Sequence, residues 1–220
     1  NAAGLKVTVE DISEEVAALA LQGPTAARVL RAASDVDLEA LKYFRVSSGR
    51  IGGVPVDVSR TGYTGDLGYE IWMPAAGAVR VWDALMELGR PFDIKPAGML
   101  ALDVARVEAG LLLIEVDFFS SKKALIESQK YTPFEMGLGR LVSSSKGRFI
   151  GDHALRAERQ RGPARQVVGL EIDWTGVESI YETLGLPPAV GATASRAAVP
   201  VYRSRRQVGR ATTTAWSPIL

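Results

Sequence analysis

Three glycines within seven residues, set between two segments of alternating hydrophobicity, constrain the fold of this chain more than any other feature. The glycines are Gly62, Gly65 and Gly68. Residues 51–58 alternate apolar and polar side chains before them, and a second apolar run follows at 69–73. Alternation predicts strands, and a short segment rich in glycine and threonine predicts a reversal of the chain. We therefore expect two antiparallel strands joined by an elaborate turn.

Other patterns in the N-terminal half predict a mixture of helices and strands. Residues 4–10 alternate like a strand. Asp11 precedes Glu14 by three positions, which resembles a capping box and predicts a short helix through Leu19. Three further helices are expected at 24–33, 75–88 and 97–109. This half of the chain is therefore predicted to be an α+β domain with an antiparallel sheet.

The composition changes after Gly110. An apolar run at 111–116 gives way to a polar stretch, and residues 143–147 form a small polar linker near which we expect a domain boundary. Beyond it, short strands separated by loops rich in glycine and proline are expected at 167–174, 198–202 and 207–214. Such a pattern is typical of a small β-barrel or sandwich.

Composition excludes several kinds of chemistry. The chain has no cysteine and one histidine, His153, which excludes disulfides, thiolate nucleophiles and the usual zinc sites. A net charge of +1 gives no reason to expect a nucleic acid or a membrane as partner, and no apolar run approaches the ~20 residues of a spanning helix. The basic run 203–206 is interpreted as a solvated turn. A cysteine-free chain suits a reducing cytoplasm, which is the expected location.

The glycine-rich stretch 59–71 is the strongest candidate for a functional site. It is neither a Walker loop, because no Gly-Lys-Ser/Thr follows, nor a Rossmann fingerprint, because a strand rather than a helix comes next. Tyr63 and Glu70 stand at opposite ends of the turn. A glutamate at the start of an apolar strand needs hydrogen-bond donors if it is buried. Composition and spacing leave two interpretations open, an ordinary hairpin and a binding site.

Motifs along nearly the whole chain resemble those of the aminomethyltransferase, or glycine-cleavage T-protein, family. The stretch 60–71, Arg-Thr-Gly-Tyr-Thr-Gly-Asp-Leu-Gly-Tyr-Glu-Ile, is similar to the family signature R-T-G-Y-T-G-[ED]-x-G-[YF]-E-[IV]. The other similar segments are 19–24 (A-L-Q-G-P), 101–110 (A-R-D-x-L-R-L-E-A-G), 132–138 (T-P-x-E-x-x-L), 149–151 (F-[IL]-G), 208–212 (G-x-[VA]-T) and 216–220 (S-P-x-L).

The resemblance implies binding of tetrahydrofolate and transfer of a one-carbon unit from a small-molecule donor, with a carrier protein as a possible further partner. Glu70 corresponds to the glutamate that clamps the N–H groups of the pterin, and its two oxygens suit two parallel donors. Tyr63 corresponds to an aromatic residue near the folate. We also assign Arg60 and Arg140 to the cofactor site, although Arg60 is also interpretable as a structural charge at the strand edge.

Departures from the family pattern point to a specialised relative. Leu102 replaces the arginine of A-R-D, and Arg140 stands where many members carry an aromatic residue. The nearest relatives on this interpretation are the folate-dependent demethylases and the folate domains of sarcosine or dimethylglycine dehydrogenases. Asp103 and Arg106 are three positions apart on a predicted helix, and an ion pair is the simplest interpretation.

Both ends of the chain look cut on this comparison, and the family's catalytic aspartate is expected outside it. Two alternatives therefore stay open beside a transferase: a non-catalytic folate-binding module, and the folate domain of a larger demethylating dehydrogenase. With the family taken into account, three domains are expected. These are a partial folate-binding α+β domain at 1–97, the remainder of a ferredoxin-like domain at 98–147, and a truncated C-terminal β-barrel or jelly-roll-like domain at 148–220.

Overall fold

An antiparallel sheet forms the centre of the N-terminal half of this protein. The computed structural model describes residues 6–189, 191 and 193–217. It divides into two compact units, Asn1–Leu111 and Leu112–Leu220. In the first unit, four strands lie in the order β1-β4-β3-β2. Their bounds are β1 Val16–Gln22, β2 Val46–Ile51, β3 Val54–Ser59 and β4 Gly68–Pro74.

The glycine-rich stretch joins β3 to β4, as the alternation and the glycines predicted. The register pairs Asp57 with Trp72 and Ser59 with Glu70. On its other side, β4 pairs along its whole length with β1, from Val16 opposite Pro74 to Gln22 opposite Gly68. Strand β4 therefore lies inside the sheet, with a hydrogen-bonded neighbour on each side.

Two helices cover one face of this sheet. They are α1 Ala26–Ala33 and α2 Ala78–Gly89, and a third helix, α3 Met99–Glu108, ends the unit. Because side chains alternate along a strand, every second residue of β3 and β4 points at the helices. The core between the layers is apolar and includes Leu30, Val58, Ile71, Val81 and Leu85. Burying one such side chain contributes about 1.5–3 kcal/mol to folding.

Two predictions at the N-terminus are wrong. No strand forms among residues 6–10, and residues 4 and 5 lie outside the described residues. The predicted helix from Asp11 to Leu19 is replaced by a turn at 13–15 and the strand β1. Asp11 accepts hydrogen bonds from the N–H and the hydroxyl of Ser13 (3.0 and 2.6 Å), so it closes a local turn and caps no helix.

The second unit has little regular structure. It contains α4 Asp152–Arg161, α5 Trp174–Thr183 and a hairpin of β5 Val199–Arg203 and β6 Arg206–Ala211. The strand predicted at 167–174 is wrong, since 167–173 has no regular structure and α5 begins at Trp174. The strands predicted at 198–202 and 207–214 correspond to the hairpin.

A buried carboxylate connects two distant segments of this unit. Asp117 accepts hydrogen bonds from the hydroxyls of Thr212 and Thr213 at 2.6 and 2.7 Å, and so ties a loop near the start of the unit to the end of β6.

The mixed α/β composition with an antiparallel sheet is confirmed, whereas the ferredoxin-like and barrel assignments and the three domain bounds stay predictions. Within the described residues, no helix is long and apolar enough to cross a membrane.

Candidate ligand-binding site at the glycine-rich loop

Glu70 lies on the face of the sheet opposite the two helices. Its neighbours Tyr69 and Ile71 are buried in the core, and the strand alternation turns Glu70 to the other side. The register places Ala20 of β1 opposite it on one side and Ser59 of β3 on the other. Trp72, two residues further on, is 45% exposed on the same face. A half-buried carboxylate is thus fixed on a sheet surface that the helices leave uncovered.

One oxygen of this carboxylate is held by the loop. The hydroxyl of Thr61 donates to Oε2 of Glu70 at 2.5 Å, and the hydroxyl of Ser59 lies 3.4 Å from the same oxygen. The Ser59 and Thr61 hydroxyls are themselves 2.7 Å apart. Short bonds from a hydroxyl to a carboxylate are charge-assisted and strong. All hydrogen bonds of the Glu70 side chain with described residues go to Oε2, so Oε1 keeps its acceptor capacity.

Gln22, the last residue of β1, braces the loop that carries Thr61. Its Nε2 donates to the carbonyls of Thr61 and Tyr69 at 3.4 and 3.3 Å, and its Oε1 accepts from the Thr64 hydroxyl at 3.3 Å. The side chain fits there because Gly62 and Gly68 lie against it: a Cβ on either glycine would overlap with the amide. These two glycines therefore make space for a side chain.

Glycine is required at position 65 of the same loop for a different reason. Its φ is +81°, in the left-handed region that favours glycine, and an added Cβ would lie 2.7 Å from Cβ of Ala109. The loop is therefore also seated against the end of α3. Tyr63 is half-buried in this loop, between the two contacts.

The other residues assigned to the site from sequence have separate surroundings. Arg60 donates from Nη1 to the carbonyl of Leu41 at 3.2 Å, and its backbone pairs with Arg45 and Phe44. Its observed contact thus matches the structural interpretation, and its binding role stays a prediction. Arg140 is exposed in a short 3-10 turn, Gly139–Leu141, of the second unit.

Asp103 and Arg106 form the ion pair that their spacing predicted. Nε of Arg106 lies 3.4 Å from Oδ1 of Asp103, and the two side chains are only 2% and 4% exposed. Arg106 also donates to the carbonyl of Leu111 at 3.3 Å. Leu102, beside this pair, is half-buried. His153 is exposed on the first turn of α4.

Sequence reasoning missed Ser59, Thr61 and Gln22 as parts of the site. Gln22 stands in the segment similar to A-L-Q-G-P, and in the structure it ends the strand β1. The signal that could have found Thr61 is alternation: Ser59 and Thr61 are two apart and thus share a face, and Glu70 follows on the returning strand.

Comparison with known proteins places these features in a family. Residues 1–146 match the model of the GCVT N-terminal domain. An aminomethyltransferase of Caldanaerobacter subterraneus subsp. tengcongensis is 40% identical over 178 residues, which cover 80% of this chain and 45% of that protein. An aminomethyltransferase of Desulfitobacterium hafniense is 33% identical over 220 residues, which cover 100% of this chain and 53% of that protein.

A solved structure agrees with these matches. The glycine cleavage system aminomethyltransferase T from Bartonella henselae superposes with a TM-score of 0.68 at 26% identity, covering 90% of this chain and 47% of that one. This chain spans about half the length of the curated relatives it matches.

Proposed function

This chain belongs to the GCVT family of glycine-cleavage T-proteins, and we propose that it works as a tetrahydrofolate-dependent one-carbon transferase of the aminomethyltransferase type. The observation that carries the proposal is the carboxylate of Glu70. It lies at the end of the signature loop with Oε2 bonded to Thr61 and with Oε1 open to a further donor.

The chemistry of this carboxylate fits a pterin. The 2-amino group and the neighbouring ring N–H of a pterin are donors that point the same way, and a carboxylate accepts two such donors. Ala20, directly opposite Glu70 in the sheet, is small enough to leave room for a flat ring beside it. Bound tetrahydrofolate supplies the nitrogens that carry the one-carbon unit.

Tyr63 is proposed to pack against the bound folate from the loop. A half-buried aromatic ring contributes apolar area at the cost of few rotatable bonds, and its hydroxyl adds a polar contact. Arg60 in the first unit and Arg140 in the second are each proposed to attract the anionic folate through their positive charge.

The remaining proposals extend those made from the family resemblance. The one-carbon donor is proposed to be a small molecule presented free or on a carrier protein. Residues 98–147 are proposed to belong to a ferredoxin-like domain and 148–220 to a β-barrel domain. The absence of cysteine is compatible with the cytoplasmic location that we propose.

The proposal is tested by titrating the protein with tetrahydrofolate under anaerobic conditions and measuring the heat of binding by calorimetry. Glu70→Ala should weaken binding by about 1–3 kcal/mol, because donors of the buried pterin would lose their acceptor. Glu87→Ala is the matched control, since Glu87 is an exposed glutamate of α2. Unchanged affinity in Glu70→Ala, with a normal circular dichroism spectrum, would refute the assignment.

A second measurement separates the transferase from the non-catalytic alternative. Folate that binds through Glu70 but accepts no one-carbon unit from any of the aminomethyl and methyl donors tested would favour a binding module. Formation of a one-carbon-substituted folate, detected by mass spectrometry, would support the transferase.

A further inference from the structure

We propose that Thr61 is a positioning residue for the ligand-binding carboxylate of Glu70: its hydroxyl occupies one acceptor position of Oε2 and thereby holds the carboxylate in one orientation toward the pterin donors. This inference rests on the proposed function and names the residue on which its central contact depends. The O–H···O distance of 2.5 Å is at the short end for a hydroxyl bonded to a carboxylate.

Counting hydrogens gives the direction of the hydroxyl chain. A threonine hydroxyl has one hydrogen to donate and can also accept. Because the ionised carboxylate only accepts, Thr61 must donate its hydrogen to Glu70. The 2.7 Å contact between the two hydroxyls then requires Ser59 to donate to Thr61. The order is therefore Ser59 to Thr61 to Glu70, and the chain of donors ends on the carboxylate.

The position of Thr61 is itself determined by the fold. Ser59 is buried at the end of β3 and is paired in register with Glu70. The carbonyl of Thr61 accepts from Nε2 of Gln22, at the end of β1. Thr61 is thus held from β3 on one side and from β1 on the other, while Glu70 lies on β4 between them. The end of β3 and the loop after it thus contact the carboxylate of β4, and β1 holds that loop through Gln22.

The energetic consequence is pre-organisation. A free glutamate side chain samples several rotamers, and a ligand that needs one of them must select it on binding. A hydroxyl that already holds Oε2 removes part of this conformational-entropy cost before the ligand binds. The Thr61 hydroxyl should therefore strengthen ligand binding without touching the ligand, and only while Glu70 is present.

The test compares tetrahydrofolate affinity in five variants of the protein. Thr61→Val keeps the shape and removes the hydroxyl, and we expect it to weaken binding about three- to tenfold, as the loss of one hydrogen bond would. Thr61→Ser keeps the hydroxyl and should bind within about twofold of the wild type. Thr183→Val is the matched control, because the Thr183 hydroxyl donates within its own helix to Ile180.

The remaining two variants, Glu70→Ala alone and combined with Thr61→Val, distinguish positioning from a general structural role. In Glu70→Ala, adding Thr61→Val should change the remaining affinity by less than about twofold, because no carboxylate is left to position. Equal losses in both backgrounds would overturn the inference, and so would wild-type affinity in Thr61→Val. If Thr61→Val fails to fold, Thr61→Ala and the retained affinity of Thr61→Ser give the same comparison. Failure of the wild type to bind tetrahydrofolate would instead refute the proposed function.

Discussion

Gly68→Ala is expected to destabilise the protein, and to stabilise it once the side chain of Gln22 has been removed. An alanine Cβ at position 68 would overlap with the Gln22 amide, so the amide must move. It would lose bonds to Thr61, Tyr69 and Thr64, whose lengths of 3.3–3.4 Å place each near the weak end of the range. At about 0.5 kcal/mol each, the loss is about 1.5 kcal/mol.

A second effect of the substitution has the opposite sign. Replacing glycine by alanine reduces the freedom of the unfolded chain, which stabilises the folded state by about 0.4–1 kcal/mol where the backbone allows it. Gly68 does not have a positive φ, so its backbone allows alanine. The net change in the wild-type background is therefore a loss of about 0.5–1 kcal/mol. In the Gln22→Ala background only the gain remains, and the sign reverses.

The measurement is a double-mutant cycle by equilibrium urea unfolding. The expected coupling between Gly68→Ala and Gln22→Ala is about 1.5 kcal/mol. Gly209→Ala is the control: Gly209 is also a strand glycine without a positive φ, but a Cβ added there would have none of the described atoms within 4 Å, so it should show no coupling. Equal effects of Gly68→Ala in the two backgrounds would refute the bracing role of Gln22.

Two further predictions concern carboxylates away from the loop. Asp103→Ala should lower the free energy of unfolding by about 3–5 kcal/mol, because it removes the carboxylate from beside the buried guanidinium of Arg106. Glu127→Ala, at an exposed pair, should change it by less than about 1 kcal/mol in the same urea assay. Ser13→Ala should raise the pKa of Asp11, because hydrogen bonds from the Ser13 hydroxyl and, to a smaller extent, from the Ser13 N–H hold that pKa below its ordinary value. An NMR pH titration that shows the same pKa in both proteins would contradict this.

The hairpin could be predicted from sequence because its information is local. The alternation in 51–58 and the apolar run at 69–73, with glycines between them, predict two strands and a turn whatever the rest of the chain does. The first strand begins later than predicted, since Gly52 and Gly53 form a turn between β2 and β3. Strand β1 could not be predicted in this way. Residues 16–22 are rich in alanine, which favours a helix, and they follow a segment that resembles a capping box. Pairing with β4 over seven residues overrides that preference, and such pairing is not visible in the segment itself.

In the second unit, by contrast, the sequence pattern predicted a strand that does not form. Residues 167–173 contain the apolar residues of a strand, but a strand also needs a partner. Val167 donates its N–H to the carbonyl of Glu135, and among the described residues no ladder extends from that bond. Hydrophobic pattern alone therefore overestimates the strand content there. The hairpin β5–β6 is predictable because two strands close together in sequence supply each other with partners.

Motif resemblance identifies some residues of the candidate site, and others can be found only from the strand register. Resemblance identifies Glu70 and Tyr63, since both stand inside the signature. The partners of Glu70 depend on which residue of β3 lies opposite it, and a shift of one residue would turn Thr61 to the core face. Because β4 is paired on both sides, such a shift would break two ladders at once. Glu70 therefore stands on a part of the molecule that resists displacement, whereas Tyr63 stands on a loop that Gln22 and Ala109 restrain through side-chain contacts. Contacts built on strands are more precise than contacts built on loops, so Glu70 is the better defined of the two proposed ligand contacts.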